Sequence, residues 1–132
     1  MIELMIVAVI AGILTMIALP SYRNYVIRGK IPDATSNLAA KRVLMEQYFQ
    51  DNRTYAGGTA CDNDTTSSQY FTFACPVAAT QSAYQIDATG TGSMAGFTYT
   101  INQDNTKTST ITADGWAATS TTCWITKQGG TC

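Results

Sequence analysis

The first nineteen residues carry the strongest hydrophobic pattern of the chain. One carboxylate, Glu3, is followed by the uncharged run Leu4–Leu19, and the run ends at Pro20. A helix that is apolar on every side must be buried in lipid or among copies of itself. The run has no basic segment before it and no small-residue cleavage site before Pro20. The pattern therefore predicts a retained helix rather than a cleaved signal peptide.

The helical pattern continues past this run, but over residues 31–51 it becomes amphipathic. Ala34, Leu38, Met45, Tyr48 and Phe49 fall on one stripe at helical spacing, which predicts that this stripe packs against a sheet. Charged and amide side chains fall on the opposite side and are predicted to face away from the sheet: Lys41, Glu46 and Gln50.

Four residues predict interruptions of this long helix. Pro20 and Pro32 each remove a backbone donor and crowd the preceding turn, so kinks are expected near both. Gly12 lies within the apolar run and Gly29 lies just before the amphipathic half. Glycine at such a position loosens a helix or lets a neighbouring helix approach closely.

The second half of the chain alternates with a period of two. Hydrophobic residues recur at every second position over 84–88 and again over 97–101, and a threonine-rich segment at 106–112 follows a turn at 103–105. The aromatic run at 70–73 is expected to add a short strand or to pack beneath a loop. We therefore predict an α+β fold, in which a long N-terminal helix packs on an antiparallel sheet of three or four strands.

All four cysteines lie in this second half, at Cys61, Cys75, Cys123 and Cys132. An even number with none in the apolar run predicts two disulfides formed in an oxidising compartment. Three pairings are open, and Cys61–Cys75 with Cys123–Cys132 is expected because each closes a short local loop. Zinc is the competing interpretation, but the chain has no Cys-x-x-Cys pair and no histidine.

The net charge of −1 conceals an asymmetry. Residues 20–53 carry a net +3, residues 54–132 carry a net −3, and Glu3 supplies the remainder. A basic neck after an apolar helix is typical of a membrane boundary, and the positive-inside rule would put that neck in the cytoplasm. The cysteines instead indicate that the C-terminal part is outside. Because that part is acidic, no nucleic acid partner is expected, with DNA at the basic neck as the alternative.

No constellation of residues predicts catalysis. Without histidine, a histidine-based triad is excluded. Gly90–Ser93 is rich in glycine but lacks the lysine of a phosphate loop. Asp62 and Asp64 lack the glycine and the twelfth-position glutamate of a calcium loop. No catalytic, cofactor-binding or metal-binding residue is predicted, and Trp116 and Trp124 are expected to anchor the core, with ligand stacking as the alternative.

The segments IELMIVAVIAGIL and ALPSYRNYV resemble the N-terminal stem of type IV pilins. In that family a prepilin peptidase cuts before a phenylalanine, methylates the new amine, and leaves a glutamate at the fifth mature position. The resemblance implies that Glu3 is this glutamate and pairs with the terminal amine of an adjacent subunit; the alternative is an acid exposed to lipid headgroups. Because Glu3 is third here, either two residues precede Met1 in the mature chain or its start is unusual.

The resemblance extends to other positions. Gly12 and Pro20 fall in the register of the family, which implies local melting of the stem between them during assembly. With Glu3 they are the expected assembly residues. The later segment MAGFTYTI, followed by GW and CW, resembles the PilE-type subfamily, which contains both major and minor subunits.

The resemblance also implies a function. Residues 1–30 would form a stem that anchors the chain in the inner membrane, and residues 31–132 a head in the periplasm. The chain would then polymerise, with other pilins and the assembly machinery, into an extracellular type IV pilus used for adhesion or motility. It would not be an enzyme. Three alternatives stay open: a minor pilin at the tip or in priming, a type II secretion pseudopilin, and a membrane-anchored binding module.

Overall fold

The computed structural model describes all residues, Met1–Cys132, and begins with one unbroken helix, α1 (Ile2–Asn52). The helical conformation continues through Gly12, Pro20, Gly29 and Pro32 without a break. A proline removes only its own N–H from the helical ladder, and the hydrogen bonds on either side hold the helix together. The helix ends where Arg53 adopts a left-handed conformation (φ 57°) and donates its N–H to the carbonyl of Phe49 at 2.7 Å.

The sheet is antiparallel and has five strands, which lie in the order of the chain. The sheet therefore has one strand more than the upper limit of the predicted three or four. The additional strand pairs only three residues with its neighbour, and so short a segment shows no alternation from which to predict it. The strands are β1 (Phe71–Ala74), β2 (Gln85–Gly90), β3 (Phe97–Asn102), β4 (Lys107–Ile111) and β5 (Ala118–Ser120).

The outer face of the sheet is polar and rich in hydroxyl groups. One threonine from every strand lies in a single row, because each is the register partner of the next. Threonine fits this position well, since its branched side chain favours extended backbone and its hydroxyl tolerates water. Apolar surface of the sheet is therefore buried mainly on its inner face. The row is Thr72, Thr89, Thr98, Thr110 and Thr119.

The core lies between the inner face of the sheet and the amphipathic half of α1. The helix contributes Ile31, Ala34, Leu38 and Met45, all fully buried, so the predicted stripe is the packed face. The sheet contributes mainly aromatic residues and isoleucines, which bury a large apolar area per side chain. The largest of these buried side chains are Tyr99, Phe71, Phe73, Phe97, Ile86 and Ile101.

Two local disulfides, Cys61–Cys75 and Cys123–Cys132, are present, as expected from the sequence. The first joins the segment after α1 to the end of β1 across a sequence separation of 14, and the second closes the C-terminal hairpin across a separation of 9. Each constrains a segment with little regular structure. A loop as long as the first is stabilised by about 3 kcal/mol in the chain-entropy account.

Candidate functional site

The apolar stem is exposed along its whole length. None of the most apolar part of α1 is buried against the head. Its length and composition suffice to cross a membrane. Glu3 lies in the first turn, where the free backbone N–H groups favour a carboxylate. A single chain therefore presents a large apolar surface with one charge at its tip, which requires either lipid or neighbouring copies.

The three expected assembly residues do not form a cluster within one chain. Glu3, Gly12 and Pro20 lie along one helix, so at 1.5 Å per residue they are about 13 Å and about 12 Å apart. Near Gly12, the hydroxyl of Thr15 donates to the carbonyls of Ala11 and Gly12 at 3.0 and 2.9 Å. Side-chain donors of this kind compete with helical N–H groups and favour bending. Sequence reasoning had not singled out Thr15.

The neck of the helix is fastened to the head by a chain of hydrogen bonds centred on Asn24. The indole N–H of Trp116 donates to Asn24 Oδ1 at 3.0 Å, and Asn24 Nδ2 donates to Gln128 Oε1 at 2.9 Å. Gln128 Nε2 in turn donates to the carbonyl of Gly115 at 2.6 Å. We call these residues the neck latch. It joins α1 to the loop before β5 and to the C-terminal hairpin, and so sets where the free stem begins.

Replacing Asn24 with alanine is expected to destabilise the head by about 1–3 kcal/mol, because the buried indole N–H of Trp116 loses its acceptor. The measurement is urea unfolding of the full chain in detergent, followed by tryptophan fluorescence. Ser21→Ala is the matched control, since Ser21 is exposed on the same helix. Equal midpoints for the two variants would contradict the role of the latch.

The loop between α1 and β1 is held against the helix by charged and polar contacts. Lys41 Nζ lies 2.8 Å from Asp64 Oδ2, and Asp33 accepts a short hydrogen bond from Ser68. The predicted orientation of Lys41, away from the sheet, is wrong. The loop folds back over this part of the helix and brings Asp64 to Lys41. The ammonium of Lys41, with hydrogen bonds from Ser67 and Thr66, holds the pKa of Asp64 well below its usual range.

This lowered pKa predicts an acid-sensitive contribution to stability. Asp64 titrates lower in the folded chain than in the unfolded chain, where its pKa is about 3.9. Its contribution is therefore full above that value and falls as the pH drops through and below it. Asp64→Asn should flatten the dependence of unfolding free energy on pH between about 5 and about 2. The same slope in Asp62→Asn, the matched control, and in Asp64→Asn would contradict the assignment.

A second polar cluster joins the end of α1 to the sheet. The hydroxyls of Tyr55 and Tyr84 each donate to one carboxylate oxygen of Glu46 at 3.1 Å, and Arg42 lies 4.0 Å from the same group. Burial and the adjacent Glu46 raise the pKa of both Tyr55 and Tyr84 above the ordinary value, so both tyrosines stay protonated donors. Glu46 was also predicted to face away from the sheet. Instead, its carboxylate accepts hydrogen bonds from the hydroxyls of Tyr55 and Tyr84.

The two tryptophans have different environments. Trp116 is buried against Phe97, with ring centroids 5.6 Å apart, and belongs to the core as expected. Trp124 is half-buried; its indole N–H donates to the carbonyl of Thr100 at 2.8 Å, and Lys107 Nζ lies 4.7 Å above its ring. Both indoles thus have structural partners.

The exposed charges are sorted between two ends of the head. The upper end is level with helix residues 23–30, because the neck latch and the Lys30–Ser93 hydrogen bond lie there. The lower end is level with residues 41–53, because Tyr84 and the segment after Gly58 contact the helix there. The exposed charged residues of the upper end are Arg23, Arg28, Lys127 and Asp114, and those of the lower end are Asp51, Asp62, Asp104 and Arg53.

None of these eight residues forms an ion pair within the chain, in which only Lys41–Asp64 and Arg42–Glu46 are paired. The upper end therefore carries three exposed cations and one anion, and the lower end three exposed anions and one cation. The C-terminal hairpin contributes to the upper end because its Gln128 bonds to Asn24. This distribution sharpens the asymmetry seen in the sequence, since the lower half of α1 contributes Asp51 to the acidic end.

The helix also has an uncharged exposed surface on the C-terminal side of the neck latch. Val43 is 52% exposed and Leu44 is 54% exposed, on the side of α1 that faces away from the sheet. Ala39 and Ala40 lie one turn above them and are likewise exposed. These residues add exposed apolar area to α1 beyond the membrane-length segment.

These features define a class of protein: an apolar helical stem fixed to a disulfide-stabilised head on an antiparallel sheet. A sequence model of the family described as "Type IV minor pilin ComP, DNA uptake sequence receptor" matches residues 20–98, which is more than half of the chain. The chain belongs to this family and is a type IV pilin. The pilin fold expected from the N-terminal resemblance is thereby confirmed, with five strands in place of three or four.

Several curated proteins are similar over about half of this chain. A probable minor fimbrial protein of Dichelobacter nodosus is 37% identical over 68 residues, which cover 52% of this chain and 43% of that protein. Fimbrial protein EcpC of Eikenella corrodens is 37% identical over 60 residues, covering 46% and 39%. A type IV major fimbrial protein FimA of Dichelobacter nodosus is 34% identical over 74 residues, covering 51% and 47%. The chain spans less than half the length of these relatives.

A solved structure is similar as well. The crystal structure of the non-core minor pilin PilV of Neisseria meningitidis superposes with a TM-score of 0.58, covering 69% of this chain and 93% of that chain. At 15% sequence identity this likeness supports the fold alone.

Proposed function

We propose that this chain is a structural subunit of an extracellular type IV pilus and polymerises through its N-terminal helix. The observation that carries the proposal is the exposed stem of Leu4–Leu19, joined without a break to a head stabilised by two disulfides. Lipid covers such a stem before assembly. In the filament, the stems of neighbouring subunits cover one another. Because the two environments are similarly apolar, transfer between them costs little, and specificity comes from charge and shape.

The assembly residues act at different steps in this proposal. Glu3 pairs with the terminal amine of an adjacent subunit, since an unpaired carboxylate in a dry bundle is costly. Gly12 and Pro20 bound the part of the stem that melts during packing. The Thr15 hydroxyl, already bonded to the carbonyls of Ala11 and Gly12, supplies a donor for backbone groups that lose their helical partners.

The proposed division of the chain follows from the same argument. Residues 1–30 form the stem, which crosses the inner membrane before assembly, and residues 31–132 form the head, which is then periplasmic. The proposed partners are copies of this chain, other pilins and the assembly machinery. The chain itself performs no catalysis, because its part is to polymerise.

The experiment is immunogold electron microscopy of filaments sheared from cells that carry or lack the gene. Continuous labelling along the filaments is the expected result for a major subunit, and labelling only at tips or at sparse points is expected for a minor one. Label that stays with the cell envelope would favour the pseudopilin or the membrane-anchored binding module. Peptide counts against the main filament protein give the stoichiometry independently.

DNA binding is the second candidate function, and the description of the matched family as a DNA uptake sequence receptor favours it. The exposed cations of the upper end, Arg23, Arg28 and Lys127, are the groups that would neutralise phosphates. Three such contacts are few, and the rest of the head is acidic. The test is fluorescence anisotropy of labelled duplex DNA with purified filaments at low and moderate salt. Binding at low salt that disappears in Arg23→Ala/Arg28→Ala would support it.

A further inference from the structure

We propose that the basic upper end of one subunit docks against the acidic lower end of a second copy in the filament. This inference rests on the proposed filament function and names the contact that sets the spacing of the heads. Its starting point is the sorting of exposed charges: three cations and one anion at the upper end, three anions and one cation at the lower end. All eight lack an ion-pair partner within the chain.

The polar groups beside these exposed charges already have partners within the chain. The exposed charges themselves have no ion-pair partner in the chain and are available to a neighbouring subunit. At the upper end, Lys30 donates to Ser93 at 2.8 Å and lies over the ring of Tyr70. The amide of Asn24 is used by Trp116 and Gln128. Arg28 instead borders an open groove of 410 Å³ with Tyr25, Gly29 and Thr126. A carboxylate on a neighbouring head fits this groove by charge and by space.

The lower end is similarly divided. Glu46 accepts from Tyr55 and Tyr84, and Asp64 is paired with Lys41, so these anions are used inside the head. Asp51, Asp62 and Asp104 are exposed and unpaired. Asp104 follows Gln103 in the turn between β3 and β4. The side chain of Gln103 accepts a hydrogen bond from the N–H of Tyr84, and this contact holds the turn at the lower end. The acidic groups are therefore held at one end by the fold.

The two ends are too far apart to meet within one subunit. Residues 28 and 51 lie on the same helix, about 35 Å apart at 1.5 Å per residue. A second copy with the same orientation, displaced along the helix axis by about that distance, brings its upper end to the lower end of the first. Parallel stems permit this displacement, because the apolar stem extends the helix well beyond the head. The contact is polar and directional, and it selects this orientation over an antiparallel one, in which like charges meet.

The experiment is zero-length carbodiimide cross-linking of wild-type filaments, followed by mass spectrometry of the peptides. The expected result is an amide between the amine of Lys127 and the carboxylate of Asp51, Asp62 or Asp104. Such a link joins two subunits, since the groups are at opposite ends of one head. Lys127→Arg is the matched control, because it keeps the charge and removes the reactive amine. Filaments that link Lys127 only to Asp114 of the same end would overturn the proposal.

Charge reversal gives an independent test of the same contact. Arg23→Glu/Arg28→Glu and Asp51→Lys/Asp104→Lys should each lower the yield of sheared filaments at least about tenfold, since like ends then meet. All four changes together should restore most of the yield. Disulfide formation and membrane abundance of each variant control for folding.

The remaining outcomes separate this inference from the function on which it rests. Unchanged yields in both reversed variants, or no recovery when the reversals are combined, would overturn the docking contact and leave the filament function standing. An upper-end variant that assembles normally but loses DNA binding would also overturn it and would assign the upper end to DNA. Wild-type cells with no filaments that contain this chain would overturn the proposed function together with the contact.

Discussion

Glu3→Val is expected to reduce the amount of sheared filament at least about tenfold while the chain stays in the membrane. Valine makes the stem more apolar, so insertion into lipid is retained or improved. What is lost is the charge that pairs with a neighbouring terminal amine and favours one axial register over others. The measurement is the ratio of this chain in sheared filaments to the same chain in the membrane fraction, by quantitative immunoblot.

Glu3→Asp is the matched control for this effect. Aspartate keeps the charge at the same turn of the helix but shortens the side chain by one methylene. A partial yield for aspartate, between those of glutamate and valine, is expected if charge pairing is the cause. Equal, normal yields for Glu3→Val and the wild type would contradict the assignment and would favour an acid exposed to headgroups.

Phe73→Ala is expected to lower the free energy of unfolding by about 3–5 kcal/mol, which is a large part of the stability of a small head. The phenyl ring is fully buried on β1, and Lys41 Nζ lies 5.5 Å from its centroid. Its loss leaves a cavity beneath the loop that Asp64 fastens to the helix, and Asp64 also pairs with Phe73 through the backbone. Urea unfolding of the full chain in detergent measures the effect.

Two comparisons make this prediction specific. Phe73→Leu retains most of the buried volume and should cost clearly less than alanine. Thr72→Ala changes the neighbouring residue on the outer face of the same strand, and its effect should be small. If Phe73→Ala unfolded at the same urea concentration as Thr72→Ala, the packing of the loop and β1 against α1 would be wrong.

The parts of the fold that could be predicted are those with a regular period. The run Leu4–Leu19 predicted the stem, and alternation over 84–88 and 97–101 predicted β2 and β3 within one or two residues. The buried face of α1 followed from helical spacing, as Ile31, Ala34, Leu38 and Met45 are its fully buried residues. In each case the same physical constraint, one apolar face on one element, acts on the sequence and on the structure.

The parts that could not be predicted depend on contacts between distant segments. Asn24 and Trp116 are 92 residues apart, and nothing at either position indicates the other. Lys41 and Glu46 fit the solvent face of a helix by period alone, and only the fold of the following loop and sheet brings Asp64, Tyr55 and Tyr84 to them. The helix continues through Pro20, because a proline removes only one donor from the helical ladder.

The distribution of exposed charges between the two ends of the head could be predicted only in part from the sequence. The net charges of residues 20–53 and 54–132 indicated a basic neck and an acidic head. The sequence does not indicate which charged side chains form ion pairs inside the head, as Lys41 and Asp64 do, and which stay exposed. Nor could it place Lys127 at the upper end beside Arg28, because that depends on the C-terminal hairpin folding back to Asn24. Tertiary contacts decide which charges a neighbour meets.

The central claim is that this chain is a processed subunit of a surface filament, and intact-mass analysis of sheared filaments tests it most directly. The account predicts a species with the mature N-terminus at or just before Met1, one added methyl group, and a gain of about 4 Da on reduction, since each disulfide takes up two hydrogens. Absence of this species from the sheared fraction, with an unprocessed chain left in the membrane, would contradict the account.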